Sequence, residues 1–362
     1  MPRQVAEYLA DPPCNYHRQE SFRAMFRATQ EDLKSLLGIR EPEAWTTAIL
    51  TTTGTGANEA CLLALSGAGR GLIVENGFFG ARLVAQATAC GVDHVRLVLP
   101  DDQPIDPAAV DAALMADPGL AWIYFVSHET RMGLANPTTR IGRAAARRGV
   151  LVAADVVSHA FAYPLDLEAS RLDLAVTSSA KALMAAPGLG IVFARSAALP
   201  RLRGAARSYY LDLVAELDFQ RQQQQPRFAQ PVALHAALYA ACKHLHSVGI
   251  DTHMGRIRSQ MDDLVQHLAG LGIPAQLDPA HRSWVALNFR LPASLPYPRF
   301  AQHLEAEGYY VLYGVPGDPG HFQLSTLGDL EPRHVAGLKT ALGRVLGNSR
   351  DLGDGLAVTS GA

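Results

Sequence analysis

The feature that most constrains the fold of this chain is an alternation of short, β-rich apolar runs with segments of helical periodicity. The predicted strands are Ala48–Thr51, Gly71–Val74, His94–Val98, Trp122–Val126, Val150–Ala154, Leu174–Thr177 and Gly190–Ala194. The predicted helices that alternate with them are Ala57–Leu65, Ala81–Ala89, Pro107–Met115 and Thr139–Arg148. Strands that alternate with helices predict an α/β fold with a mostly parallel sheet covered on both faces. Ligands of such folds bind at the carboxyl ends of the strands.

Composition and periodicity divide the chain into four predicted regions. They are an N-terminal arm over residues 1–15, a large domain over 16–230, a smaller C-terminal α+β domain over 231–347 and a flexible tail over 348–362. The Gln/Arg-rich stretch Gln220–Gln225 predicts a linker or surface loop just before the smaller domain. The smaller domain is predicted from helices at Val232–Leu245, Met254–Leu271 and Arg299–Glu307 and strands at Trp284–Phe289 and His321–Ser325.

Charge and cysteine content narrow the class of protein. A net charge of −2 over 362 residues gives no electrostatic footprint for nucleic acid or an anionic membrane. No apolar run approaches the roughly 18 residues that a membrane-spanning helix needs. The four cysteines lie far apart and form no CxxC pair, which favours a reducing cytoplasm over a disulfide framework. Cys242, His244 and His246 lack a carboxylate to complete a ligand set, so we predict no metal site.

Lys181 gives the clearest chemical signal in the sequence. The chain has only four lysines, and Lys181 alone has small and apolar neighbours followed by the turn Pro187-Gly188. Such surroundings disfavour an ammonium ion, so we expect a lowered pKa and a nucleophilic amine. An amine of this kind is suited to a Schiff base with pyridoxal 5′-phosphate. A lysine that extends from a strand end into solvent is the structural alternative.

Two further sites fit a phosphorylated, nitrogen-containing ring. Asp155 ends an apolar strand, where its carboxylate would keep a pyridine nitrogen protonated, although a turn or helix cap is the alternative. Gly54-Thr55-Gly56 follows a strand and opens a helix, which is the arrangement of a phosphate cradle or of a simple turn. The short excursion between Asp155 and Lys181 allows both side chains to project into one site.

Several motifs in register resemble the class V, fold-type I PLP-dependent aminotransferases. They are His17-Arg18-x-x-x-Phe22, Thr53–Ala60, Glu75–Gly80, His128-Glu129-Thr130-x-x-Gly133, Asp155–Ser158 and Ser178–Lys181 with Pro187-Gly188. The nearest likeness is to the 2-aminoethylphosphonate–pyruvate transaminase branch of that family. The resemblance covers about residues 15–330. It implies a fold-type I architecture, with a large domain built on a mostly parallel, seven-stranded type of sheet, and a homodimer with the site at the subunit interface.

The resemblance also implies roles for individual residues. Lys181 would bind the cofactor aldehyde covalently, and Asp155 would pair with the pyridine nitrogen. Thr53, Gly54 and Thr55 would bind the cofactor phosphate. The remaining implied contacts with the cofactor are those of Phe79, Val157, Thr130 and Ser178.

Several positions depart from the family pattern. Ala229 stands where the family commonly has a threonine that reaches the cofactor phosphate of the partner subunit, and Gln323 and Arg131 bear on substrate binding. The family ends with an arginine that binds a substrate carboxylate, whereas this chain has Gln323 there. A glutamine lacks the charge and the paired donors of an arginine, a loss of about 1.5–3 kcal/mol. Arg131 stands where the family has a small hydroxyl residue, and we hypothesise that it binds the anionic group of the substrate. A surface arginine in a loop is the alternative.

The leading prediction is transamination between a small anionic amine, of the 2-aminoethylphosphonate or amino acid type, and a 2-oxo acid such as pyruvate or glyoxylate. Lys181 would act as base and acid in a ping-pong reaction. Because Gln323 replaces the arginine, a lyase or another PLP-dependent reaction on the same fold is the first alternative. A PLP protein without catalytic activity and a nucleotide-binding α/β module are the others.

Overall fold

A computed structural model of the protein describes the backbone of residues 1–204, 207–314 and 318–354, and side chains as far as Gly347. The helices in chain order are α1 (Arg3–Ala10), α2 (Glu20–Leu36), α3 (Gly54–Leu65), α4 (Phe78–Ala89), α5 (Pro107–Ala116), α6 (Thr138–Ala146), α7 (Leu199–Leu202), α8 (Leu213–Gln223), α9 (Val232–Val248), α10 (Ile250–Gly270), α11 (Tyr297–Ala306) and α12 (Pro332–Asp354). The strands are β1 (Trp45–Thr51), β2 (Gly71–Glu75), β3 (His94–Val98), β4 (Trp122–Val126), β5 (His128–Glu129), β6 (Leu134–Ala135), β7 (Leu151–Asp155), β8 (Leu174–Ser178), β9 (Leu189–Arg195), β10 (Ala286–Arg290), β11 (Leu312–Tyr313) and β12 (His321–Ser325). None of the described helices is long and apolar enough to cross a lipid bilayer.

Contact density divides the described chain into two compact units. The first comprises residues 1–129 and 135–254, and the second comprises residues 130–134 together with the chain from 255 onward. Helix α9 belongs to the first unit because it packs against α1 and α2. The domain boundary that we predict near residue 230 stays a prediction, since a contact-dense unit need not coincide with a domain.

The central sheet of the first unit has the strand order β1-β9-β8-β7-β4-β2-β3 among the described residues. Strand β9 runs antiparallel to both of its neighbours, and the other neighbouring pairs are parallel. The predicted mostly parallel α/β sheet is therefore confirmed. Every residue of β4, β7 and β8 is buried. These strands read as continuous apolar runs because a parallel sheet is covered on both faces.

Helices of the first unit pack on this sheet from several directions. Helix α3 lies against β8 and β9, and α4 lies against β2. Helix α6 contacts β7, while α2 and α8 contact the edge strand β1. Helix α3 is buried along most of its length, with small residues such as Ala57 and Ala60 against the strands. This packing fixes the start of α3 at the carboxyl end of the sheet.

The stretch Gln220–Gln225 is not the linker that we expect from its composition. Residues 213–223 form helix α8, and Gln220 is fully buried. Its Oε1 accepts from the backbone N–H of Ile49 at 3.0 Å, and its Nε2 donates to the Ile49 carbonyl at 2.9 Å. A buried amide is tolerated where its donors and acceptors have partners. The prediction of a loop is therefore wrong for residues 220–223. The polar side chain of Gln220 can be buried in a helix because its hydrogen bonds with Ile49 replace those that it would make with water.

The second unit contains an antiparallel sheet of order β10-β12-β11 among its described residues. Phe289 and Phe322 stack with ring centroids 5.5 Å apart, and Phe300 lies 4.5 Å from Phe322. These rings belong to a core to which α10, α11 and α12 contribute. Helix α12 continues to Asp354, so part of the predicted tail over 348–362 is helical, and residues 355–362 lie outside the described residues.

Candidate active site

The carboxyl ends of two neighbouring parallel strands carry candidate site residues. Asp155 is the last residue of β7, and Ser178 is the last residue of β8. The two strands pair in parallel, with Asp155 opposite Val176. Their ends therefore open at the same edge of the sheet, which is the edge where α/β folds bind ligands.

Lys181 follows β8 in a tight loop. The loop is closed by backbone bonds from Met184 to the Lys181 carbonyl and from Ala185 to the Ser179 carbonyl, at 2.9 and 3.0 Å. Met184 has a φ of 60°, a left-handed conformation that is unfavourable for a residue with a side chain. The loop thus holds Lys181 on a strained but closed backbone.

The amino group of Lys181 has a lowered pKa. Lys181 is solvent-accessible as a residue, yet protein atoms surround its amino group, and this burial lowers the pKa. Asp155 acts in the opposite direction, and the positive charge of Arg82 adds to the lowering. Lys181 and Asp155 are thus close enough to influence each other.

Asp155 is buried and accepts hydrogen bonds on both carboxylate oxygens. Oδ1 accepts from the backbone N–H of Val157 at 2.9 Å, and Oδ2 accepts from Nδ2 of Asn58 at 2.6 Å. Burial raises the pKa of Asp155 above its ordinary value, and these two donors and the charges of Arg82 and Lys181 offset only part of that rise. Donors to both oxygens favour the charged carboxylate.

The first turn of α3 contains two glycines, Gly54 and Gly56. Thr53 is the N-cap residue, and its side chain accepts no hydrogen bond from the first N–H groups of the helix. A Cβ added at Gly54 would lie 2.9 Å from Val157 Cγ2 and 3.5 Å from Ser178 Cβ. The glycine is therefore needed for close approach, and the structure brings Thr53, Gly54, Val157 and Ser178 together. Such a helix start suits a phosphate.

Phe79 lies in the first turn of α4. Its backbone N–H donates to Oε2 of Glu129 at 2.8 Å. The guanidinium carbon of Arg82 lies 4.4 Å from the centroid of the Phe79 ring, in a cation–π contact. Arg82 also acts electrostatically on Lys181 and Asp155. The Phe79 ring is thus placed in the same region as the charged pair.

Two buried histidines extend this region. Nδ1 of His128 lies 2.8 Å from the Ser158 hydroxyl, and Nδ1 of His159 lies 2.6 Å from the Ser127 hydroxyl. Burial lowers the pKa of His128 to about 3 and that of His159 to about 4. The charge of Lys181 contributes to the lowering at His128. Both imidazoles are therefore neutral near pH 7.

Three predicted site residues belong to the second unit. Nε2 of Gln323 donates to the Thr130 carbonyl at 2.8 Å, to the Arg131 carbonyl at 3.2 Å and to Oδ1 of Asn288 at 3.0 Å. The guanidinium of Arg131 donates to the Gly314 carbonyl at 3.2 Å. Gln323 therefore holds the turn that carries Thr130 and Arg131. Binding of substrate by Arg131 and Gln323 stays a prediction.

Sequence reasoning gave no role to four residues that the structure brings to the site: Asn58, Tyr124, Glu129 and Arg82. Asn58 gave the most visible signal, since it is a polar residue in a helix of mostly small and apolar residues. Tyr124 lies within an apolar strand and gave no signal. In the described part of the chain, no three His, Cys, Asp or Glu side chains are arranged to hold a metal ion.

The donor set of the first unit fits pyridoxal phosphate. An amine of lowered pKa, a buried carboxylate, an uncapped helix start and an aromatic ring match its aldehyde, pyridine nitrogen, phosphate and flat ring. The cradle at Gly54 is shaped for close approach, as a Cβ there would meet Val157.

Comparison with known proteins agrees with this chemistry. Residues 4–308 match the family described as aminotransferase class-V. A 2-aminoethylphosphonate–pyruvate transaminase of Burkholderia pseudomallei (strain 668) is 31% identical over 330 residues, which are 90% of this chain and 89% of that protein. The match favours a transaminase over the lyase alternative.

Solved structures resemble the fold. An aspartate aminotransferase of subgroup IV from Thermus thermophilus has a TM-score of 0.85 at 26% identity and covers 96% of this chain and 97% of its own. An alanine–glyoxylate aminotransferase from Nostoc sp. has a TM-score of 0.86 at 24% identity, covering 94% and 91%. These structures, the strand-end geometry and the family match over most of the chain lead to one conclusion: the protein belongs to the class-V aminotransferase family.

Proposed function

We propose that this class-V aminotransferase binds pyridoxal phosphate through Lys181 and transfers an amino group from a small anionic amine to a 2-oxo acid. The observation that carries the proposal is the pairing of Lys181, whose pKa burial lowers, with the buried carboxylate of Asp155. When bound, pyridoxal phosphate supplies an aldehyde that condenses with amines and an electron-withdrawing ring that stabilises negative charge on the adjacent carbon.

The roles of the surrounding residues follow from their contacts. Thr53, Gly54 and Thr55 present the N-terminus of α3 to a phosphate, where the N–H groups and the helix dipole favour negative charge. Asp155, whose two oxygens accept from Asn58 and Val157, would accept a hydrogen bond from a protonated ring nitrogen. The ring of Phe79 and the side chain of Val157 suit the two faces of a flat ring.

Lys181 acts as the base and acid of the reaction. A lowered pKa leaves a larger fraction of Nζ unprotonated near neutral pH, so Nζ accepts a proton from the amine-bearing carbon of the substrate and later returns one. The electrostatic attraction of Asp155 limits the lowering, which keeps the protonated form accessible as well.

The anionic substrates suggest a role for Arg131. Its guanidinium donates to the Gly314 carbonyl and lies 5.0 Å from the centroid of the Tyr313 ring, contacts that restrict its orientation. Gln323 uses its amide nitrogen for contacts within the protein, so Arg131 is the better supported of the two for a phosphonate or carboxylate. The 2-aminoethylphosphonate–pyruvate transaminase relative supports a phosphonate amine with pyruvate as acceptor.

Further properties belong to the same proposal. We propose a homodimer in the cytoplasm. Arg227 lies 5.3 Å from the centroid of the exposed Tyr209 ring and 5.0 Å from that of Phe228, an aromatic and arginine surface of the kind found at protein interfaces. Light scattering of the purified protein tests the dimer, and a monomer at micromolar concentration would contradict it.

A single-turnover experiment tests the function. The cofactor-loaded protein is mixed with 2-aminoethylphosphonate alone, and the carbonyl product is measured. A transaminase releases one product molecule per site and then stops until pyruvate is added, whereas a lyase continues without it. Lys181→Ala abolishes product, and Lys243→Ala, a surface lysine that pairs with Asp32, is the matched control. Continuous product release without pyruvate, or full activity of Lys181→Ala, contradicts the proposal.

A further inference from the structure

A chain of buried hydrogen bonds leads from the hydrophobic core to Asp155. The Tyr124 hydroxyl donates to Oδ1 of Asn58 at 2.6 Å, and Nδ2 of Asn58 donates to Oδ2 of Asp155 at 2.6 Å. Cys61 forms a side-chain hydrogen bond with Tyr124. Asn58, Cys61 and Tyr124 are each at most 1% exposed. Water therefore does not replace these bonds if one partner is removed.

The direction of the chain follows from its chemistry. An amide oxygen only accepts, so the Tyr124 hydroxyl gives its one hydrogen to Asn58. Burial raises the pKa of Tyr124, which keeps that hydrogen in place. The amide nitrogen of Asn58 is then turned to Asp155, where it can only donate. The donors of Tyr124 and Asn58 thus both point toward the carboxylate.

This direction matches one protonation state of Asp155. A carboxylate accepts from Asn58 and from the Val157 N–H at the same time, whereas a protonated carboxyl would bring one hydrogen toward a group that already donates. Hydrogen bonds arranged in a chain polarise one another, so Tyr124 strengthens the donor of Asn58.

We propose that Asn58 and Tyr124 are positioning residues that hold Asp155 as a charged acceptor for the pyridine nitrogen of the cofactor. The inference rests on the proposed function, since it concerns the same carboxylate. Neither residue touches the cofactor in this account: Tyr124 acts through Asn58, and Asn58 acts through Asp155.

Two positively charged groups also lower the pKa of Asp155. They are Arg82 on α4 and Lys181 after β8, both of which favour the carboxylate. The variants Asn58→Leu and Tyr124→Phe leave both groups in place. A change in the titration of Asp155 is then due to the lost donor and not to a lost charge.

The experiment measures the titration of Asp155 directly in the protein without added cofactor. The protein is labelled with ¹³C at the aspartate carboxyl carbons, and Asp155→Asn identifies the Asp155 resonance. Asn58→Leu is expected to move its midpoint upward by one pH unit or more, a tenfold change in acidity. Tyr124→Phe removes only one oxygen atom and is expected to move it in the same direction by less.

A second readout follows the cofactor itself. With ¹⁵N-labelled pyridoxal phosphate, the wild type is expected to keep the ring nitrogen protonated across the stable pH range. Asn58→Leu is expected to lose that proton at lower pH and to reduce kcat by roughly tenfold to a hundredfold, the loss of one hydrogen bond to a charged group. Cys242→Ala, at a fully buried cysteine on α9 that takes no part in these hydrogen bonds, is the matched control and is expected to change kcat less than twofold.

The outcomes separate the two proposals. Unchanged Asp155 titration in Tyr124→Phe and Asn58→Leu overturns the inference, whether or not the cofactor binds. If the midpoint shifts in the variants but the wild-type protein does not bind pyridoxal phosphate, the proposed function alone is contradicted. If Asn58→Leu does not fold, Tyr124→Phe decides the question, since it preserves the shape of the core.

Discussion

The carboxylate of Glu129 accepts the backbone N–H of Phe79 at 2.8 Å, so a residue distant in sequence caps the first turn of α4. Glu129 is fully buried, and the N-cap residue Gly77 has a φ of 141°. A Cβ at Gly77 would lie 2.6 Å from Glu129 Cγ. The glycine and the glutamate therefore occupy complementary space, and together they orient the turn that carries Phe79.

Replacing Glu129 by alanine is expected to destabilise this turn. Loss of a charge-assisted bond to a helix N-terminus lowers the free energy of unfolding by about 1.5–3 kcal/mol. Urea unfolding measures the loss, and Glu129→Gln, which keeps an acceptor oxygen, is expected to lose less. Equal stability of the wild type and Glu129→Ala would show that the cap is unimportant.

An alanine at position 54 is expected to weaken phosphate binding. The added Cβ would lie 2.9 Å from Val157 Cγ2, so either the start of α3 or Val157 must shift. A strain of about 1.4 kcal/mol corresponds to a tenfold weaker Kd for pyridoxal phosphate, measured by equilibrium dialysis. Gly255→Ala, where the Cβ meets no atom within 4 Å, is the control.

The double variant Gly54→Ala/Val157→Ala tests the cause of that weakening. Removal of the Val157 methyl groups frees the space that the new Cβ needs. The effects of the two changes on Kd are therefore expected to be less than additive. Strict additivity would mean that the contact with Val157 is not responsible.

Arg131→Ala is expected to raise the KM of an anionic amine donor roughly tenfold or more, the loss of one charge-assisted bond. Arg258→Ala is a matched control, because Arg258 also stacks on an aromatic ring, 5.0 Å from the centroid of Trp284. Steady-state kinetics with 2-aminoethylphosphonate measures both. An unchanged KM in Arg131→Ala would remove Arg131 from the substrate site.

Stability is expected to fall as the pH drops from 6.5 toward 4. Burial lowers the pKa of His235 to about 3, well below the ordinary value of 6.5. Between those values the unfolded chain binds a proton that the folded chain does not, so each pH unit removes about 1.4 kcal/mol per buried histidine. His128 and His159 act in the same direction.

The variant His235→Leu is expected to reduce the pH dependence of the free energy of unfolding by about 1.4 kcal/mol per pH unit, which is the contribution of one proton. The slope is measured as the free energy of unfolding in urea at several pH values between 6.5 and 4. His303→Gln, a change at an exposed histidine, is expected to leave the slope as it is. A slope in His235→Leu equal to that of the wild type would mean that His235 titrates normally.

The parallel strands were accessible from sequence because burial on both faces leaves continuous apolar runs. The strand ends then placed Asp155 correctly at the end of β7. Polar residues within helices were harder to interpret. The composition around Gln220 predicts a linker or surface loop, because its partner Ile49 lies far away in the sequence and only the fold brings the two residues together.

The residues that contact Asp155 were missed for the same reason, because their partners are distant in sequence and only the fold brings them together. Asn58 lies on helix α3, and its hydrogen bonds depend on Tyr124 of β4 and Asp155 of β7. No local pattern encodes such a pairing. Gln323 is visible in the sequence because it stands where the family has an arginine. Its contacts with the Thr130 and Arg131 carbonyls, in contrast, depend on tertiary structure.

Gln220 also has a consequence for the behaviour of the protein at high concentration. Strand β1 lies at the edge of the central sheet, and an uncovered edge is a template for strand pairing with other chains. Gln220 engages both backbone groups of Ile49, and Gln30 donates to the Thr47 carbonyl at 2.6 Å. The side-chain amides of Gln220 and Gln30 thus occupy backbone hydrogen-bonding groups of β1 that another strand would otherwise pair with, which disfavours aggregation through this edge of the sheet.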